Sequence, residues 1–326
     1  MDSHIRVLRE LADGRFHSGQ TLADGLGISR AAVWKAVTRA RERLGLQIDA
    51  VTGRGYRLAM PLELLDAGRI LGQLSPGVRG RIARLVLHQS IDSTSSWLLR
   101  QAPALASGTA CLAERQTAGR GRRGRGWVSP FGSNLYLSLL WRFAMPPGDL
   151  NGLSLAIGAG VAESLRRAGV DAVALKWPND LLWQRRKLAG LLLDVVGEST
   201  GPSLVVVGLG VNTRMDAVHA RHIEQPWVDL ASILGPDRCS RNLLAARLLE
   251  ALVQVLDEFQ RAGLEPFLPV WKRYDRFRGE RVELRWGTQR LEGIHRGIDR
   301  QGSLRLAVDG ETRLFRAGEV SLRGKG

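Results

Sequence analysis

The sequence predicts an α+β multidomain fold: a winged helix-turn-helix at 1–60, a linker at 61–82, a central mixed-sheet domain at 83–273 and a small SH3-like β-barrel at 274–326. Three observations predict it. Helical apolar spacing fills the first sixty residues and ends in a hairpin signature. From Arg84 onward, runs rich in Leu and Val alternate with two amphipathic helical stretches. Past Tyr274, only short strands separated by Gly and charged turns remain.

In the first module, Ile5, Leu8 and Leu11 stand at helical spacing and the run ends at Gly14. Two helices follow, the first carrying Leu22, with a turn built on Gly25 and Gly27 and with Ser29 as N-cap of the second. That is a helix-turn-helix layout, whose second helix suits a major groove. Ser29, Arg30, Trp34, Lys35 and Arg39 are its candidate DNA contacts, joined by Arg54 in the "TGRG" hairpin turn. A small helical bundle with no nucleic-acid role is the plainer alternative. Pro61 then breaks the chain before a short helix in the linker.

In the central domain, "RLVLH", "GTACLAERQ", "NLYLSLLWRF", "AVALKWPNDLLW", "KLAGLLLDVV" and "SLVVVGLGVN" read as strands. Residues 150–169 and 241–263 read as amphipathic helices. Neither GxxxxGK[ST] nor a helix-opening GxGxxG is present, so neither standard phosphate-binding glycine loop is supported.

The net charge is +15, which points toward a polyanion. Of 47 basic residues, however, 42 are arginine, spread through every region, so a general compositional bias yields the same excess. No run approaches ~18 consecutive apolar residues, which argues against a membrane span. The first ten residues lack a signal-peptide h-region. Cys111 and Cys239 form no CxxC pair and no framework, and a reduced, cytoplasmic setting is expected.

Three motifs carry chemistry. "GRGRRGR" (119–125) places four arginines and three glycines in seven positions. A basic nucleic-acid tract belongs in a polar tail, but this one lies between apolar strands, with Trp127 and Phe131 directly after it. Arginine forks on a mobile backbone suit a loop that closes on carboxylate or phosphate. "KWPND" (176–180) offers an amide and a carboxylate beside a strand, suited to Mg²⁺ shared with phosphates or simply to a turn. Lys187 stands at the mouth of an apolar strand, either snorkelling or holding an anion. "DSTSSW" (92–97) supplies hydroxyls that cap a helix beginning near Ser95.

In this order, "DST", "AERQTAGRGRRGRGWVSPFGSNLYLS", "KWPNDLLW", "RKLAGLLLD" and "GLGVN" resemble a biotin–protein ligase over nearly the whole chain. The preceding winged helix makes the resemblance specific to the bifunctional group that also represses the biotin operon. It implies a central domain like that of class II aminoacyl-tRNA synthetases and a reaction of biotin with ATP. Biotinyl-5′-adenylate and pyrophosphate form, and biotin then passes to a lysine of the biotin carboxyl carrier protein of acetyl-CoA carboxylase. By resemblance, Ser93, Thr94, Ser95 and Gln116 bond the ureido ring, while Arg120, Gly121 and Arg122 fold over biotin and adenylate. Lys187 and Arg122 act at the reacting carboxylate and phosphate. Lys176, Asn179, Asp180, Asn212 and Trp227 fall with Arg122 on the nucleotide side, Asp180 also at Mg²⁺.

Two departures stand out. Ser95 occupies a place where the family often has asparagine, and residues 215–225 before Trp227 match only loosely. An adenylate that orders glycine-bearing loops can also prepare a homodimer, bringing two winged helices to two operator half-sites. Three rivals belong to other classes: a ligand-sensing repressor without turnover, a lipoate or octanoate transferase, and an RNA-binding protein. A sensor has no use for a carboxylate at the nucleotide. An acyl transferase wants an apolar channel where this chain has "STSS" and Gln116, and the arginine tract lacks interleaved aromatic platforms.

Overall fold

The computed structural model describes residues 3–286, 288–316 and 321–324. At the N-terminus α1 (Ser3–Leu11), α2 (Gly19–Leu26) and α3 (Arg30–Leu44) pack around Leu8, Leu11, Val33 and Val37, all buried. Ser18 and Ser29 cap the second and third helices, accepting from the Thr21 and Ala32 N–H groups. The turn between them rests on Gly27 at φ 63°, a left-handed position suited to glycine, whereas Gly25 lies inside α2. The wing is β1 (Ile48–Val51) against β2 (Gly55–Leu58), antiparallel from Ile48↔Leu58 to Val51↔Gly55.

The stretch expected as a linker is folded onto the next domain. There α4 (Ala67–Gly72) and α5 (Pro76–Arg81) deliver Ile70 and Val78 to the central core, with Leu65 before α4 and Ile82 after α5 joining them. Their apolar content is too short to show a period, and their packing partners lie far along the chain.

The central sheet has seven strands. They are β3 (Arg84–His88), β4 (Thr109–Ala113), β5 (Leu135–Phe143), β6 (Val173–Lys176), β7 (Asp180–Trp183), β8 (Arg186–Gly197) and β9 (Ser203–Val211), in the order β3-β4-β5-β9-β8-β7-β6. The β3–β4 pair is parallel and the other pairs are antiparallel. "AVALKWPNDLLW" is therefore a hairpin, β6 and β7, rather than one strand, because the chain reverses at Trp177–Pro178–Asn179. One face of the sheet takes α6 (Thr94–Gln101). The other takes α7 (Leu153–Arg167) and, beyond the small helices α8 (Ala217–Ala220) and α9 (Leu230–Leu234), α10 (Arg241–Ala262). The domain ends in α11 (Leu268–Tyr274), with Trp271 buried.

The last five strands are β10 (Arg281–Trp286), β11 (Gln289–Ile298), β12 (Leu304–Val308), β13 (Glu311–Phe315) and β14 (Ser321–Gly324). They form an antiparallel sheet in the order β13-β12-β11-β10-β14. Among the described residues β13 and β14 remain its two edges, so the expected SH3-like barrel is an open sheet and not a closed one. Residues 317–320 of the expected last strands lie outside the described residues.

The parts are joined by buried side chains. Phe131, just past the arginine loop, is 2% exposed and sits in the core of the N-terminal module, against Leu62 and Leu64. Beside it, Arg241 at the start of α10 binds Glu114 at 2.7 Å, the Glu63 carbonyl at 2.7 Å and the Asn134 carbonyl at 2.8 Å.

Candidate active site

A cleft opens over β5, β8 and β9, between the N-terminus of α6, the arginine loop and the β6–β7 hairpin. Its floor is glycine. A Cβ at Gly208 would stand 2.6 Å from the Ser95 hydroxyl, and one at Gly210 2.5 Å from the Trp127 ring. No side chain fits there without displacing the groups that line the cleft.

One end is a cluster of hydroxyls and one amide. Ser93, the cap of α6, places Thr94 and Ser95 in its first turn, one residue earlier than the sequence suggests. The Thr94 and Ser138 hydroxyls are 2.7 Å apart, and Ser95 is 2.9 Å from Ser138. Gln116 Oε1 accepts from the Thr94 N–H at 2.9 Å, and its amide nitrogen donates to Ser129. These groups are uncharged and fixed by one another, so they suit a neutral polar ring that offers both a carbonyl and N–H groups.

The other end is cationic. Lys187 Nζ lies 2.8 Å from Asp180 Oδ1, and Lys176 Nζ lies 3.7 Å from Oδ2. Burial pushes the Asp180 carboxyl up, but Lys187 and then Lys176 outweigh it and hold it below the usual carboxylate range. Arg122 donates to Asn179 Oδ1 at 3.2 Å, and Asn179 in turn donates to the Leu191 carbonyl at 2.6 Å. Burial, reinforced by Arg123, pulls the Arg122 guanidinium below its ordinary value, a penalty that an arriving anion relieves. Lys187 Nζ also sits over the Trp127 ring at 5.4 Å.

Most of the sequence-derived candidates converge here: the Ser93–Ser95 run, Gln116, Arg120, Gly121, Arg122, Asn179, Asp180 and Lys187 all line the cleft. Three stand behind it. Lys176 reaches Asp180 from the hairpin, and Asn212 donates to the Lys187 and Val228 carbonyls, each at 3.2 Å. Trp227, half-buried, lies in the segment that pairs with Lys187, whose N–H donates to the Pro226 carbonyl at 2.8 Å.

Two of these groups already have partners. The Arg120 guanidinium is held by Asp194 at 2.8 Å and by Ser96 at 3.3 Å, which anchors the loop to β8 at the cleft wall. Asp180 is one carboxylate between two ammonium groups. Among the described residues no three His, Cys, Asp or Glu side chains cluster there, so a Mg²⁺ beside Asp180 would draw the rest of its shell from phosphate oxygens and water.

Sequence reasoning missed Trp127, Ser138, Arg125 and the floor glycines as site residues. The Trp127 indole N–H is buried and has no partner among the described residues, which makes it a donor available to a ligand. Ser138 and Gly210 were invisible because only strand register decides which face an alternate residue takes.

On the N-terminal module, Ser29 caps α3 while Arg30, Trp34, Lys35 and Arg39 are exposed along that helix. Arg54, at the wing turn, lies over the Phe16 ring at 4.1 Å.

Comparison with known proteins matches each part. The biotin/lipoate A/B protein ligase family model matches residues 87–212, an HTH domain matches 4–57 and a biotin protein ligase C-terminal domain matches 277–323. The bifunctional ligase/repressor BirA of Escherichia coli is 44% identical over 319 residues, 98% of this chain and 97% of that protein. The biotin–[acetyl-CoA-carboxylase] ligase of Mycobacterium tuberculosis is 37% identical over 238 residues, 70% of this chain and 85% of that one. The biotin protein ligase from Aquifex aeolicus in complex with biotin and ATP superposes with a TM-score of 0.65 at 28% identity, over 74% of this chain and all of that one.

Proposed function

The chain belongs to the bifunctional biotin ligase/repressors of the biotin/lipoate A/B protein ligase family, and from that premise we propose how its cleft makes and keeps an acyl-adenylate. It is an ATP-dependent biotin–[acetyl-CoA-carboxylase] ligase, and its helix-turn-helix makes it a DNA-binding repressor as well.

The observation that carries the mechanism is the polarity of one cleft, neutral hydroxyls at one end and Lys187, Arg122 and Lys176 at the other. The biotin ureido ring occupies the hydroxyl end, bonded by Ser93, Thr94, Ser95, Ser138 and Gln116. Its side chain then runs over the glycine floor beneath Trp127 and delivers the carboxylate to Lys187. Carboxylate and triphosphate repel each other by about 4 kcal/mol per charge pair at 4 Å in a surface-like dielectric. Lys187, steadied by Asp180, and Arg122 offset that repulsion and align the two groups. A carboxylate oxygen attacks the α-phosphorus, and the bond to the bridging oxygen breaks, releasing pyrophosphate. The amine of the carrier lysine then attacks the acyl carbon, AMP leaves with the bonding pair, and the amine loses a proton. Mg²⁺ bound with the triphosphate would neutralise phosphate charge, with Asp180 the carboxylate on that side of the cleft. The Gly-Arg loop, anchored by Arg120 on Asp194, keeps water from the mixed anhydride.

The finer partners follow from the same surface. The mainly antiparallel sheet backed by α7 and α10 supports reading the core as synthetase-like. The outer edge of β8 beyond Gly190 has no strand beside it among the described residues, and it exposes Val195 and Val196. An open edge of this kind supports homodimerisation of the adenylate-bound form on operator DNA. The acceptor is the carrier protein of acetyl-CoA carboxylase. No described helix is long and apolar enough to cross a membrane, and a cytoplasmic setting supplies both ATP and acceptor.

The test is transfer to a purified carrier domain with ATP and Mg²⁺, with biotin, lipoate and octanoate in competition. Labelling by biotin alone at the carrier lysine is expected. Lipoate transfer, or tight biotin binding without transfer, overturns the reading.

A further inference from the structure

The β6–β7 hairpin carries Lys176, Asn179 and Asp180, yet β6 is the outermost strand of the central sheet. An outermost hairpin is held on one side only, so something must fix its free edge if it is to place charges within a fraction of an ångström. The segment leading from α11 into the C-terminal sheet, with the β11–β12 turn, does this. Asp275 makes a parallel bridge to Leu175, and the Arg276 N–H donates to the Leu175 carbonyl at 2.9 Å. The indole N–H of Trp177, itself 1% exposed, donates to the Gly302 carbonyl at 3.1 Å. At the turn from β7 into β8, Arg185 pairs with Glu280 at 2.8 Å.

The junction that touches β6 is itself pinned by one buried pair. His295, in the middle of β11, stands 2.9 Å from Asp275 Oδ1, with the two side chains 0% and 1% exposed. The Gly297 N–H donates to His295 Nδ1, so Nε2 carries the hydrogen and donates to the carboxylate. On the backbone, His295 exchanges hydrogen bonds with the 279–280 turn, donating to the Glu280 carbonyl and accepting from the Gly279 N–H. One imidazole thus locks the start of the C-terminal sheet against the strand that leads into the nucleotide residues.

We propose that His295 and Asp275 are positioning residues for the nucleotide half of the cleft: they fix the junction on Leu175 and thereby set Lys176 and Asp180. This rests on the nucleotide-side reading of residues 176–180. Biotin's own subsite is built on α6, β5, β8 and β9 and makes no use of the pair.

The experiment compares full-length His295→Leu and His295→Gln in biotin-dependent ATP–pyrophosphate exchange, with biotin affinity and thermal melting measured on the same samples. Leu removes the donor, while the Gln amide can replace Nε2. For His295→Leu the KM for ATP is expected to rise about tenfold with biotin affinity unchanged, as for a small misplacement of a charged group. For His295→Gln the KM should return to within about twofold of the parent. An unchanged KM for ATP in a folded His295→Leu protein overturns the proposal. So does a parallel loss of biotin affinity, which marks a merely structural role. Lys176→Ala separates the two levels: no effect on the KM for ATP there defeats the nucleotide reading itself. Should His295→Leu fail to fold, Trp177→Phe cuts the second tie, and an unchanged KM for ATP in that variant likewise overturns the proposal.

Discussion

In the proposed mechanism, retention of the intermediate turns on Arg122. Its guanidinium reaches Asn179 across the cleft mouth, and the chain around it, Gly121 and Gly124, already tolerates glycine. Arg122→Gly therefore removes a charge-assisted contact and leaves the fold intact. A hydrogen bond to a charged group contributes about 1.5–3 kcal/mol, so the adenylate should leave at least about tenfold faster. The expected outcome is free biotinyl-adenylate in solution and labelling of lysines on bystander proteins. Retention of both the adenylate and target selectivity in that variant would sink the role assigned to the loop. Arg123 beside it holds φ 58° without being glycine and donates to the Arg285 carbonyl, so the loop also touches the C-terminal sheet.

At the scale of elements, α3 shows what sequence can and cannot say. Its cap, its spacing and its exposed basic residues were legible, because all three are local. Trp34 stands 56% exposed in the middle of that helix, an expensive place for an indole unless it meets an apolar surface such as thymine methyl groups. Trp34→Ala is expected to weaken operator binding by about 1–3 kcal/mol while leaving the salt dependence unchanged. Lys35→Ala should instead lower the slope of log affinity against log salt by about one and weaken all sequences alike. Titrations of operator and random DNA at several salt concentrations separate the two, and a changed slope in Trp34→Ala would argue against base contact. The cleft was legible wherever a motif clustered in sequence, as in the arginine loop and "KWPND". It was not legible where pairing over long range decides the outcome. Arg120 meets Asp194 across 74 positions, and Ser138 faces Thr94 only through the register of β5. The burial of Ile70 was hidden for the same reason: it is apolar in sequence but becomes core only when α10 arrives.

For the whole molecule, the decisive feature is the buried cluster where three segments meet. Glu114 directly follows β4, ahead of the arginine loop, Glu63 belongs to the stretch leaving the winged helix, and Arg241 opens α10. Glu114 also accepts from the Leu65 N–H at 2.6 Å, and Asn242 donates to Glu63 at 2.8 Å. With Arg241 3% and Glu114 6% exposed, neither charge can turn to water if its partner is lost. Breaking such a pair by removing one side costs about 3–5 kcal/mol, whereas replacing both with apolar groups of similar size costs far less. Arg241→Met alone should therefore destabilise the chain strongly, leaving the Glu114 carboxylate unneutralised and the Asn134 carbonyl without its donor. The pair Glu114→Leu with Arg241→Met should recover much of that loss, giving a coupling energy well above the roughly 0.5 kcal/mol scatter of independent sites. Denaturant titration of the full-length single and double variants measures it. Additive losses would mean that the ion pair is incidental and that α10 is held by its apolar face alone. A large coupling would mean that the arginine loop, the tether of the DNA-binding module and the core helix share one electrostatic joint. A change at any of the three is then felt at the other two.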